Sequence, residues 1–429
     1  MTGSGPQAQI WRPEDTTRPV AVQPGTPVYK PDILDYIEEE IQELSGKLRE
    51  ISLDIHDNPE LAYKEKHAHD VLTNFMSTQG FTVQTSYLLP TAWLATFKRG
   101  EGGRTIGVNS EMDALPGIGH ACGHNLIAIA GVAVACAMKA ALEHFDISGT
   151  IQLLGTPAEE AATGKVVLLE KGAYKDMDVC LMCHPAPGPK GSVALSSSLA
   201  VSAFEAEYFG HTAHAALAPY EGINALDAAV LSYNNVNALR QQLKPDVRVH
   251  GIFKGKDWAI NIIPDYAMYS IGVRAPTRAQ QQAAAKRVLP CLEAGAKATG
   301  CKFKVATTVQ MYDLRQNKVL GDEVANIVRS RYGTIDHEYG IASASTDFGN
   351  VSYELPSLHP GFAIPTVVGG GNHTPEFAKA AATIEAHEAC LDISKALAAT
   401  GLRVLSDADF YKQVLEAFEE DKVTREIVL

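Results

Sequence analysis

From Pro31 onward, apolar residues recur every three or four positions: Ile33, Ile37, Ile41, Leu44 and Leu48. That spacing predicts an amphipathic helix with one buried stripe. The first thirty residues, rich in Pro, Thr and Gly, carry no such period and are expected to form a disordered tail. Beyond the helix, short apolar runs alternate with helical patterns as far as about Ser196. The runs Thr105-Ile-Gly-Val, Thr150-Ile-Gln-Leu-Leu and Val179-Cys-Leu-Met-Cys have the length of buried strands. Between the first two, Ile127 to Leu142 is apolar on almost every side, which predicts a deeply buried helix. The alternation is that of an α/β sheet domain. A second unit is expected over residues 199–312. It has strand-like stretches at Ala203–Phe209 and Cys301–Ala306 and helices over Ala225–Gln242 and Ala279–Thr299. Residues 31–198 and 313–429 then form the two parts of the first domain.

Chain length and composition agree with this division. The 429 residues exceed one ordinary core, and 46% hydrophobic content leaves ample material for two. A net charge of -13 argues against nucleic acid as a partner, since phosphate backbones call for basic patches. No apolar run is expected to reach the length of a membrane span, and no signal-like layout opens the chain. The seven cysteines lie scattered in apolar segments, which suits a reduced, cytoplasmic protein. Cys180-x-x-Cys183 has the spacing of a redox pair, but its place in a strand-like run makes buried core the better expectation.

The chemistry concentrates just past the predicted strands. Gly119-His-Ala-Cys-Gly-His-Asn places Cys122 and His124 two residues apart on a glycine-flexed turn. Thr-Pro-Ala-Glu159-Glu160, Cys183-His184-Pro and Asn372-His373-Thr-Pro add carboxylates and imidazoles. A thiolate, imidazoles and a carboxylate suit zinc, manganese or cobalt rather than calcium or magnesium. Donors gathered past the carboxyl ends of strands are how an open α/β sheet builds a site. One of the two glutamates exceeds what ligation needs, and a spare carboxylate there serves as general base for a water held at a metal. Any one of these residues alone would be commonplace. Their joint occurrence points to metal-assisted hydrolysis.

These stretches resemble the aminoacylase and hippurate-hydrolase family of dinuclear metallopeptidases. Within it the chain is similar to the peptidase domain-containing protein 2 type of dipeptidase and to aminobenzoyl-glutamate hydrolase subunits. The matching motifs are Asp113-Ala-Leu-Pro, Gly119-His-Ala-Cys-Gly-His-Asn, Leu154-Gly-Thr-Pro-Ala-Glu-Glu, Tyr220-Glu-Gly-Ile-Asn, Asn261-Ile-Ile-Pro, Arg274-Ala-Pro and Ser345-Thr-Asp-Phe-Gly-Asn-Val. They run in unbroken order from about Ile33 to Leu405.

The resemblance implies an exopeptidase-like catalytic domain with a central mixed sheet. It also implies that the 199–312 unit is an inserted α+β lid that forms a homodimer interface. It implies two divalent ions per subunit, zinc first, with manganese or cobalt as alternatives. The ligands would be Cys122, shared between the ions, with His124, Glu160, His184 and His373. Glu159 would be the base and Asp113 would orient a ligand imidazole. His214 would stabilise the oxyanion across the dimer. Asn261, Arg274 and the Gly371 backbone would grip the substrate carboxylate. His120 is expected beside the metals rather than on them.

The implied reaction is amide hydrolysis of a dipeptide, or of an N-acyl amino acid with a free carboxylate, dipeptides ending in a basic residue leading. The rivals are an N-acyl amino acid deacylase, an amide-forming enzyme, and a non-catalytic binding protein on the same fold. Departures from the family pattern are Asn125 for Asp, Ala161-Ala162-Thr163-Gly164 for a glycine-rich stretch, His211 for Lys or Arg, Ala213 for Ser and Tyr220 for Trp.

Overall fold

The computed structural model describes residues 27–336 and 344–425; most of the expected tail lies outside them. The chain separates into two compact units. Of the described residues, one comprises 27–198 with those of 314–422, and the other Leu199–Asp313 with 423–425.

The first unit is built on a six-stranded sheet. Its order is Thr82–Gln84, Trp93–Arg99, Gly149–Thr156, Thr105–Glu111, Val179–Leu181 and Ser357–Leu358. The first two strands are antiparallel and the other four run parallel, so the carboxyl ends of Thr105–Glu111, Gly149–Thr156 and Val179–Leu181 open on one edge. A smaller sheet of Thr334–Asp336, Ser192–Ala194, Gly361–Ile364 and His184–Pro187 carries the next stretch of chain.

The apolar stripe expected from Pro31 is a helix over Pro31–Asp57, with Ile37, Ile41 and Leu48 fully buried. It packs on the helix His124–His144, which also meets Ile384–Ser406 and the strand Thr105–Glu111. That central helix corrects two expectations. It begins at His124 rather than at Ile127, so a ligand candidate sits in its first turn. By length and composition it could also cross a membrane, because Ala and Val run on without a break. Here 89% of that stretch is buried inside the protein, which makes it a core helix wrapped by others.

The second unit is an antiparallel sheet in the order Lys302–Met311, Ala200–Phe209, Tyr266–Ala275 and Arg248–Gly255. The helices Ala225–Leu239 and Arg278–Thr299 pack on each other and on this sheet. Asn224 and Thr277 cap them, each side chain accepting a first-turn N–H. The first of these helices was expected to reach Gln242. Its α-helical part ends at Leu239, and Arg240–Gln242 tighten into a 3₁₀ turn that closes the last carbonyls.

Candidate metal centre

Each metal-ligand candidate stands just past a strand end or at a tight turn. Cys122 precedes the left-handed Gly123, at φ +77, where an added Cβ would meet Pro185 at 2.5 Å. Only glycine allows the Cys-Gly-His turn to lie this close to the strand bearing His184. His373 is itself left-handed at φ +68, a conformation that costs energy in a non-glycine residue. Its N–H donates to Ala121 O at 2.8 Å, which seats it over the same turn.

Four donor groups result among the described residues; two of them share the Cys122 sulfur, a third joins His124, Glu159 and Glu160, and a fourth Glu111, Glu159 and Asp347. The ligating atoms of Cys122, His124 and His184 lie within 4.8 Å of one another, as do those of Cys122, Glu160 and His373. Cys122 Sγ is 3.5 Å from His184 Nε2, and Glu160 Oε1 is 3.2 Å from His373 Nε2. Second partners fix the ring tautomers. His184 Nδ1 donates to Pro185 O at 2.8 Å, leaving Nε2 a bare lone pair. His124 Nδ1 pairs with Asp113 Oδ1 at 3.1 Å. The other oxygen of Asp113 accepts the Glu160 N–H at 3.0 Å, so one carboxylate orients both donors.

The electrostatics fit cations at this place. With Nδ1–H on Asp113, His124 Nε2 is a buried lone pair that accepts no hydrogen bond among the described residues, and the nearest polar atom, Glu111 Oε2 at 3.3 Å, is an acceptor as well. Native interiors rarely leave such atoms unmatched unless an ion or water meets them. Burial pushes the Cys122 thiol well up, so only positive charge at its sulfur would hold it as a thiolate. For Glu160 burial is the strongest influence and favours the acid. The His373 hydrogen bond and the His124 charge outweigh it and hold the carboxyl at about 2. Glu159, buried beside it, is pushed well above the carboxylate range by burial, then by Glu111 and Asp347. A carboxylate with raised proton affinity suits a general base.

Several partners of this site receive no role from the sequence. Glu65, fully buried, accepts from Ala158 N at 2.9 Å and Thr91 Oγ1 at 2.7 Å, and so holds the strained turn before Glu159. Asn372 donates to Pro185 O at 3.2 Å and reaches Cys122 Sγ at 3.8 Å. His359 lies 6.0 Å from the His184 ring, and burial, then His184, lower it to about 3. Its one possible signal was that His359-Pro360 repeats His184-Pro185. His120 is buried and lowered to about 3 by burial, then by His124 and His56. It joins no donor group. Gly371 is half-buried, its carbonyl taken by Thr374 Oγ1 at 2.7 Å. Cys180 and Cys183 are buried and free, as expected of core.

Asn125 has polar partners that suit an amide rather than a carboxylate. Its Nδ2 donates to Ser52 Oγ at 2.9 Å and to Ala381 O at 3.1 Å, deep in the core. An aspartate would set a carboxylate oxygen against that carbonyl. Asn125→Asp is therefore expected to lose about 1–3 kcal/mol of stability, measured by urea unfolding.

The remaining candidates belong to the second unit. His214 is exposed, and its Nδ1 accepts from Ala216 N at 3.2 Å and Leu217 N at 3.0 Å. The neutral ring therefore carries its proton on Nε2, a free donor. Its loop is tied to that of Asn261, whose carbonyl accepts from Ala215 N at 3.0 Å. Arg274 lies near the end of the strand Tyr266–Ala275, with Nε 3.3 Å from His250 Nε2.

Comparison with known proteins gives the family. The chain is 39% identical to the Xaa-Arg dipeptidase of Homo sapiens over 400 residues, covering 89% of this chain and 90% of the relative. It is 26% identical to a p-aminobenzoyl-glutamate hydrolase polypeptide of Escherichia coli K12, covering 91% and 95%. Among solved structures, a dinuclear metal-binding peptidase of Bacillus subtilis superposes with a TM-score of 0.66 at 20% identity. That match covers 85% of this chain and 99% of the other. An aminobenzoyl-glutamate utilization protein of Klebsiella pneumoniae gives 0.67 at 17%, covering 86% and 99%. Residues 107–400 match Peptidase family M20/M25/M40; the chain belongs to this family and is a hydrolase of amide bonds.

Proposed function

We propose that the protein is a dinuclear metallo-dipeptidase whose substrates end in a basic residue such as arginine or lysine. The observation that carries the metal reading is the sharing of Cys122 between two donor groups. His124 and His184 would hold one ion with it, and Glu160 and His373 the other. The substrate class is supported by the 39% identity to the Xaa-Arg dipeptidase over nine-tenths of both chains. Zinc suits a thiolate with imidazoles best, with manganese or cobalt as alternatives.

Bound at this site, the ions would supply charge that polarises the scissile carbonyl and makes water easier to deprotonate. Glu159 takes the proton from the attacking water and passes it to the leaving amine. Asp113 keeps His124 and the Glu160 turn oriented. His214 Nε2–H meets the carbonyl oxygen as it gains charge. Arg274 and Asn261 bind the free carboxylate, aided by backbone at Gly371.

A homodimer belongs to this reading. The outer strand Arg248–Gly255 leaves Ile252 62% exposed, and Val230, Leu231 and Tyr233 stand exposed on the helix Ala225–Leu239. An outer strand that exposes apolar side chains such as Ile252 offers an edge for pairing with a second copy. Seven free cysteines support a reducing, cytoplasmic setting.

Two measurements test the proposal. Elemental analysis should find up to two divalent ions per subunit, and chelation should abolish hydrolysis until metal is returned. Activity that survives full metal removal would overturn it. A panel of Xaa-Arg, Xaa-Lys and hippurate-like substrates should give its highest kcat/KM on the basic dipeptides. Preference for the N-acyl amino acids would make the protein a deacylase instead.

A further inference from the structure

One ammonium in the first unit lies outside the ligand set and is fully enclosed. Lys165 opens the helix Gly164–Glu170 as its second residue, and its side chain has no exposure. Its Nζ lies 2.5 Å from Glu111 Oε1 and 2.5 Å from Asp347 Oδ1, both fully buried. Its own N–H donates to Asp347 Oδ2 at 2.8 Å. Oxygens of Glu111, Asp347 and Glu159 fall within 4.8 Å of one another. The Lys165 ammonium therefore lies against two members of a cluster of three buried carboxylates. Apolar packing often stabilises a core as well as a buried ion pair does, so stability alone gives little reason for this lysine.

The chain itself links this ammonium to the reaction, because Lys165 closes the segment that begins at Glu159 and Glu160. That segment is folded so tightly that a Cβ on Gly164 would meet Pro157 O at 1.8 Å, and the Gly164 N–H donates to Ala158 O at 3.2 Å. Anchoring Lys165 at both its N–H and its Nζ therefore anchors the turn on which Glu159 stands.

We propose that Lys165 is a positioning residue of the hydrolytic reaction. Clamped between Glu111 and Asp347, its ammonium fixes the turn that presents Glu159 and Glu160. This rests on the reading of Glu159 as base and Glu160 as ligand.

The test is the pair Lys165→Met with Asp347→Asn, which removes one positive and one negative charge together and leaves the net charge of the cluster unchanged. Cobalt(II) loading gives a readout independent of turnover, because its absorption bands follow the arrangement of thiolate and imidazole ligands. The double variant should keep the wild-type number of ions but show shifted cobalt bands. Its kcat should fall roughly tenfold to a hundredfold, as for a displaced catalytic group, with KM little changed. Lys165→Arg, which keeps the charge, should recover part of the rate. Wild-type bands and kcat in the double variant would reduce Lys165 to charge balance in the core and overturn the proposal, as would a rise in KM alone. If the double variant does not fold, Glu111→Gln decides: it leaves the Lys165–Asp347 pair in place and should show the same band shift and loss of rate. A wild-type spectrum and rate in Glu111→Gln would overturn the proposal. Should the wild-type protein bind metal yet cleave no dipeptide, the substrate reading falls while the cobalt spectra still decide this one.

Discussion

Glu159→Gln should lower hydrolysis by at least ~100-fold, in the range typical of a lost general base, and leave the metal content unchanged. The substitution keeps the shape of the side chain and removes only its capacity to accept a proton. Glu160→Gln should differ in kind, losing metal as well as rate, because Glu160 belongs to the donor group of Cys122 and His373. The environments already separate the two residues. Glu160 is held ionised at about 2 by its imidazole neighbours against the pull of burial. Glu159 is driven the other way by burial and by the carboxylates of Glu111 and Asp347. Adjacent carboxyls pushed apart in this manner divide into a ligand and a proton acceptor. Metal analysis with single-turnover rates on both variants checks the assignment. If Glu159→Gln strips the metal while Glu160→Gln keeps both metal and rate, the roles are reversed.

Three of the four candidate donor stretches stand out in the chain because each follows a strand that is itself plain in the sequence; the stretch at His373 has no such run directly before it. Glu159 and Glu160 come three and four residues after Thr156, and His184 three after Leu181. A short apolar run followed by a metal-binding residue type is a local pattern, and local patterns survive in one dimension. What supports the donors is not local. Lys165 and Asp347 are 182 residues apart, and nothing near either marks a charge that will be fully buried. The same holds for Glu65, which reads as one more acidic residue on a solvated segment until the fold sets it against Ala158. The central helix misled in the opposite direction. Its uniform apolarity correctly predicted burial, but its polar first turn, His124 and Asn125, lay hidden because both side chains find polar partners from distant segments. The family resemblance supplied roles for His214, Asn261 and Arg274 that spacing alone could not.

His214→Ala should leave metal binding intact and lower the rate by roughly a hundred- to a thousandfold, the usual cost of one oxyanion donor. The tautomer supports this role, since two backbone N–H groups occupy Nδ1 and leave Nε2–H free to donate. His214 lies on the inserted unit, between metal-site segments that precede and follow it in the chain. It can reach the reacting carbonyl by closure of its own subunit or from a second copy, and mixing variants distinguishes the two. A heterodimer of His214→Ala with Glu159→Gln contains one site with both base and donor intact if the donor comes from the other subunit. Each site lacks one group if the donor comes from its own. Activity recovered on subunit exchange, up to about half that of the wild-type dimer when every molecule is a heterodimer, is the outcome expected for donation across the dimer. Exchange confirmed by mass with no recovery would mean that His214 serves its own subunit or is merely structural, and the exposed apolar side chains of the outer strand would then account for pairing without any part in catalysis.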